Sequence, residues 1–97
     1  MRLGWVAFIA VVGCRGALAA DPPMPLKPGV GDSATVAACS ACHTTNYILM
    51  NSPFLTPEAW TAEVAKMRSA FGAPIDEATA AVIAGYLGAN YAVAERP

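Results

Sequence analysis

Cys39, Cys42 and His43 are the residues of this chain best suited to chemistry, and their order sets what that chemistry is. Cys39-Ser40-Ala41-Cys42-His43 is a C-x-x-C-H run, the attachment sequence of a c-type haem. Two thiols about one helical turn apart can reach two vinyl groups on one edge of a porphyrin. The residue after the second cysteine then falls beneath the iron, where an imidazole ligates it. Two other readings of the pair are weaker. A thioredoxin-type redox couple belongs to a βαβ pattern, and no convincing strand is present. A zinc site takes four ligands, whereas His43 is the only histidine and Cys14 the only further cysteine.

The single histidine also rules out bis-histidine ligation, so the sixth position falls to Met, Lys, water or nothing. Met67 is the expected ligand. It lies 24 residues after His43, enough chain to pass round a porphyrin edge and return on the other face. Met50 is the rival, but only seven residues separate it from His43, which makes the opposite face awkward to reach. A thioether raises the potential relative to two imidazoles, as suits an electron acceptor. Met67 also reads as an ordinary core residue of a helix, and the two roles are compatible if the core there is the haem itself.

The elements that must position these groups are helical. Asp32 to Ala38 reads as a helix capped by Asp32 or Ser33 and running into the cysteine motif. Met24 to Val30, with Pro25, Pro28 and Gly29, is a non-regular lead-in, and Thr44 to Leu55 reads as loop. Thr56-Pro57-Glu58 opens a helix with a hydroxyl cap, a proline at the first position and a carboxylate at the positive end of the dipole. In that helix Trp60, Val64, Met67 and Phe71 fall within an arc of about 60°. Gly72 ends it and Pro74 prevents its continuation. Asp76 caps a last helix, with Ile75 and Ala80 placed to staple its start. Ile83, Tyr86 and Leu87 form the apolar stripe of that helix. Its second face, Ala81, Gly85, Gly88 and Ala92, is small enough to admit the helix that leads to Cys39.

Composition narrows the setting. The first 20 of the 97 residues read as a cleaved secretory signal, with Arg2 as a short positive region, Leu3 to Val12 as the apolar stretch, and Ala17-Leu18-Ala19-Ala20 as the cleavage site. The apolar run is too short to span a bilayer. Val11-Val12-Gly13-Cys14 resembles a bacterial lipobox, so anchoring through a lipidated Cys14 is the minor alternative. The remaining 77 residues form one domain, 21–97, with four cations against seven carboxylates, a net charge of −3. No basic patch points to nucleic acid. Sixteen of those 77 residues are alanine, so a chain already short for an unaided core needs something else to fill its centre. Haem addition outside the cytoplasm agrees with a periplasmic location.

Taken together, Cys39-x-x-Cys42-His43, Tyr47-Ile48, Trp60, Val64-x-Lys66-Met67, Ala73-Pro74, Ile83 and Tyr86-Leu87 resemble the monohaem cytochrome c subunit of bacterial sulfite dehydrogenases. The likeness runs from about Ala38 to Tyr91. It implies an all-α, class I cytochrome c-like fold of about three helices around one covalent haem c, with Cys39, Cys42, His43 and Met67 as its residues. It implies a heterodimer with a molybdopterin-containing, sulfite-oxidising subunit, from which this chain accepts electrons and passes them to a soluble cytochrome c. Such a subunit has no catalytic site of its own. In class I cytochromes a proline about ten residues after the haem histidine presents its carbonyl to the ring's other nitrogen, and Pro53 stands at that distance. Met50 departs from the pattern.

Rival functions are distinguishable by residues. Cytochrome c′-type binding proteins carry their motif near the C-terminus, whereas 54 residues follow His43 here. A peroxidase needs a distal acid-base group, and no spare histidine supplies it. A free-standing monohaem carrier serving another periplasmic dehydrogenase fits the same residues. The leader itself is testable by sequencing the N-terminus of protein recovered from an exporting host. The expected first residue is Asp21; a blocked chain beginning at Cys14 would replace the cleaved secretory form with a lipoprotein.

Overall fold

The computed structural model describes residues 24–94, so the leader and Cys14 lie outside the described residues. The described chain is all-α: α1 (Asp32–Cys39), α2 (Asn46–Asn51), α3 (Pro57–Ser69) and α4 (Glu77–Asn90). None of these helices is long and apolar enough to cross a membrane. There are therefore four helices among the described residues rather than about three.

α3 and α4 form the central pair, and α1 packs on α4. Both central helices begin as their sequences dictate. Thr56 Oγ1 accepts from the Ala59 amide at 3.2 Å with Pro57 at the first position. Asp76 Oδ1 accepts from the Thr79 amide at 2.6 Å, a charge-assisted bond that holds the Asp76 carboxyl below its usual range. α3 closes through Gly72, whose φ of +67° lies in the left-handed region, and the Ala73 amide returns to the Met67 carbonyl at 2.9 Å.

The core collects Ile48 from α2, Trp60 and Val64 from α3, Ala80, Ile83, Tyr86 and Leu87 from α4, and Tyr91 just beyond it. Ile75 packs against this cluster. The Trp60 indole N–H donates to the Tyr91 carbonyl at 2.8 Å, satisfying a buried donor. The lead-in is irregular yet firmly tied. The Tyr86 hydroxyl donates to the Lys27 carbonyl, the Lys27 amide donates to the Tyr91 hydroxyl at 2.7 Å, and Lys27 Nζ reaches the Asn90 carbonyl at 2.9 Å. Burial, reinforced by neighbouring Tyr91, pushes the Tyr86 phenol up to about 12.

Three expectations are corrected. Residues 44–55 are not all loop, since α2 occupies six of them. A helix this short shows too little periodicity to be read, and it forms because Ile48 is buried and Asn51 Nδ2 donates back to the Tyr47 carbonyl at 2.8 Å. The N-cap of α1 is neither Asp32 nor Ser33 but Gly31, at φ +95°; Asp32 is the first helical residue, and its carboxylate accepts from the Ser33 amide at 2.7 Å. The small face of α4 does not receive α1 either. Gly88 meets the start of α3, where a Cβ would lie 3.3 Å from Pro57 Cβ, while α1 approaches the Val82–Tyr86 side through Gly31.

That approach leaves no room at Gly31. A Cβ there would lie 3.0 Å from both Tyr86 Cβ and Val82 Cγ1 and 3.1 Å from the Val82 carbonyl, on top of the left-handed backbone. Gly31→Ala is expected to destabilise the protein by roughly 2–4 kcal/mol, combining the backbone and overpacking costs. Gly85 lies inside α4, and a methyl group added there would meet nothing within 4 Å. Gly85→Ala is expected to stabilise by roughly 0.5–1 kcal/mol, the helix-propensity gain. Denaturant titration of both variants reads the opposite signs.

Candidate functional site

One cavity, of about 490 Å³, gathers the chemistry. Its floor is core: Ile48, Trp60, Val64 and Leu87 belong both to the buried cluster and to the lining. Cys39 at the end of α1, Cys42 and His43 in the turn that follows, and Met67 of α3 all line it. Phe71, Ala73 and Ile75 extend the apolar lining. The stripe read from Trp60 to Phe71 thus divides, because α3 ends at Ser69 and leaves Phe71 in the turn beyond it. Trp60 and Val64 enter the core, Met67 is half-buried at the cavity, and Phe71 is 69% exposed.

Each site residue read from the sequence has a definite position. Cys39 is half-buried, and burial pushes its thiol up; Cys42 is exposed. Both thiols are free. The exposed His43 ring has Nδ1 3.0 Å from the Thr44 carbonyl. A carbonyl only accepts, so this contact places a proton on Nδ1, the tautomer in which the Nε2 lone pair is available. The role anticipated for the Pro53 carbonyl at this nitrogen is thus filled by Thr44, and Pro53 itself is exposed in the turn after α2. Met50, on α2, is 72% exposed and is not among the cavity-lining residues.

Three further residues of the lining carry no joint signal in the sequence. The Tyr47 ring lies against His43, with centroids 5.1 Å apart and planes tilted by 41°. Its hydroxyl donates to Glu63 Oε2 at 3.3 Å, and Lys66 Nζ donates to Glu63 Oε1 at 2.7 Å. Burial, then the adjacent Glu63 carboxylate, push the Tyr47 phenol up, and the Glu63 bond raises the Lys66 ammonium. The Glu63–Lys66 spacing of three residues is a helical pair readable from sequence. Tyr47–Glu63 joins two elements and has no such signal.

The donor set is two thiols, one imidazole with an available nitrogen and one thioether, around an apolar space. Among the described residues no group of three His, Cys, Asp or Glu side chains could hold a metal ion. A shallow groove on the small face of α4, lined by Pro57, Glu58, Thr61, Ala81, Ala84, Gly85 and Gly88, contains neither a thiol nor an imidazole. No protein-family model matches the chain, and no curated protein is significantly similar to it.

The contrast between the two thiols has a direct readout. Cys42 is exposed, while Cys39 is shielded and its thiolate disfavoured. With both thiols free, Cys42 is expected to be alkylated by iodoacetamide several-fold faster than Cys39, followed peptide by peptide by mass spectrometry. Equal rates would place both thiols in the same environment, contrary to their burial.

Proposed function

We propose that the chain is a periplasmic c-type cytochrome that transfers electrons, and that its cavity holds one covalently attached haem. The observation that carries this reading is that Cys39, Cys42, His43 and Met67 line one apolar cavity of about 490 Å³. That volume is in the range of small-molecule and cofactor sites. The donor set suits an apolar metal chelate better than a bare ion, because the space is walled by aliphatic and aromatic side chains.

Cys39 and Cys42 would form the two thioether links, and His43 Nε2 and the Met67 sulfur would ligate the iron. Haem in this cavity supplies reversible one-electron exchange at iron. The protein holds the donors, excludes water through Trp60, Val64 and Leu87, and fixes the His43 tautomer through Thr44. Exposed Cys42 and His43 leave that side of the cavity near the surface, where an electron partner can approach. A class I cytochrome c-like fold belongs to this reading, and the all-α architecture is compatible with it.

The resemblance to the haem subunit of sulfite dehydrogenases extends the proposal to partners. Electrons then come from a molybdopterin-containing, sulfite-oxidising subunit in a heterodimer and leave to a soluble cytochrome c. The net charge of −3 after cleavage favours partner surfaces rich in Lys and Arg.

Expressed with a periplasmic haem-attachment system, the protein is expected to retain haem through denaturing electrophoresis, and Cys39→Ala with Cys42→Ala to abolish that retention. Met67→Ala is expected to lose the weak far-red band of methionine-ligated ferric haem, with Met50→Ala unaffected; the reverse pattern moves the ligand to Met50. Sulfite mixed with the co-purified complex is expected to reduce the haem within the turnover time, read by stopped-flow absorbance. A complex that stays ferric with sulfite yet reduces with dithionite retains only the general carrier function.

A further inference from the structure

We propose that Glu63 is a positioning residue for the His43–Met67 donor pair, acting through the hydrogen-bonded chain Tyr47–Glu63–Lys66 that ties α2 to α3 at the cavity. The inference rests on the haem reading above and concerns how this chain holds and tunes that site.

The two donors are carried by parts of the molecule that are differently secured. Met67 rides on α3, which is locked to α4 through Trp60 and the shared core. His43 precedes α2, whose backbone packs closely against neither α3 nor α4. α2 is held by the burial of Ile48 and by bonds to the lead-in, from the Met24 amide to Asn46 Oδ1 at 2.9 Å and from Thr45 Oγ1 to the Met24 carbonyl at 3.3 Å. Neither of those bonds reaches α3. The Tyr47 hydroxyl supplies a direct polar tie, crossing to Glu63 Oε2 while the Tyr47 ring rests against His43.

Glu63 is suited to the role because its carboxylate engages a donor on each oxygen and its side chain is only 20% exposed. Lys66 completes the chain from the solvent side, with its own side chain 48% exposed. A carboxylate lining the cavity favours positive charge within it, and the adjacent ammonium offsets that field. The pair therefore has two separable effects. The hydrogen bonds fix α2 and the His43 ring beside Tyr47 against α3, which carries Met67, and the balance of charge sets how strongly the oxidised site is favoured.

The test uses the haem-loaded protein at one neutral pH. Tyr47→Phe keeps the ring beside His43 and removes the tie; imidazole is expected to displace Met67 from the ferric protein about fivefold faster, the equivalent of one hydrogen bond. Glu63→Gln keeps the shape and removes the negative charge, and the reduction potential is expected to rise. Lys66→Gln removes the compensating cation, and the potential is expected to fall. A purely structural role for the chain would not move the potential in opposite directions in these two variants. Wild-type protein that carries haem and the far-red band, with all three variants unchanged in both readouts, overturns the positioning role and leaves the haem reading standing. Wild-type protein that takes up no covalent haem overturns both.

Discussion

The buried indole of Trp60 is the contact on which the other features depend. It is 2% exposed, and its N–H is satisfied by the Tyr91 carbonyl at 2.8 Å. That bond draws the start of α3 against the end of α4, while the same side chain lines the cavity. Loss of the indole would cost packing of about 3–5 kcal/mol and leave a buried carbonyl unpaired. For a domain with this few large apolar side chains, that is a large share of marginal stability. The core and the site are thus one body of side chains seen from two sides. Ile48, Val64 and Leu87 share that double position.

Legibility in the sequence follows the locality of each signal. α3 and α4 are readable because their caps are short-range patterns: Thr56-Pro57-Glu58, Asp76 at the start of α4, and Gly72 followed by Pro74. α2 is not, since six residues cannot display a period and its cause, the burial of Ile48, is tertiary. The cap of α1 falls one residue earlier than its sequence suggests. Asp32 is a good cap by type, whereas the close approach of Val82 and Tyr86 demands glycine at position 31. The same limit applies at the site. Cys39, Cys42 and His43 are contiguous and carry their own spacing, and Met67 stands out within its stripe. The Thr44 carbonyl at His43 and the Tyr47–Glu63 bond depend on how a turn and two helices meet, which no spacing encodes.

The small residues also show how one composition serves different ends. Gly31 permits a close crossing, Gly88 accommodates the first proline of α3, Gly72 ends a helix, and Gly85 meets no neighbour at all. A run of Ala and Gly on one helix face is therefore an opportunity for contact without specifying which segment takes it. α3 takes that face at Gly88 because Pro57 arrives there directly after Thr56 caps the helix, and the Val93 amide bonding the Leu55 carbonyl at 2.9 Å holds the preceding loop in place.

The stitching of the lead-in to α4 has a kinetic consequence. Lys27 is bonded to Tyr86, Asn90 and Tyr91, partners 59 to 64 positions away along the chain. Contacts of such sequence separation are slow to form, because most of the intervening loop must close first. A polypeptide made from its N-terminus can tie Met24 to Asn46 and Thr45 early, but it cannot seat Lys27 and Gly31 until the last helix has been synthesised. That part of the lead-in therefore waits for the completion of α4.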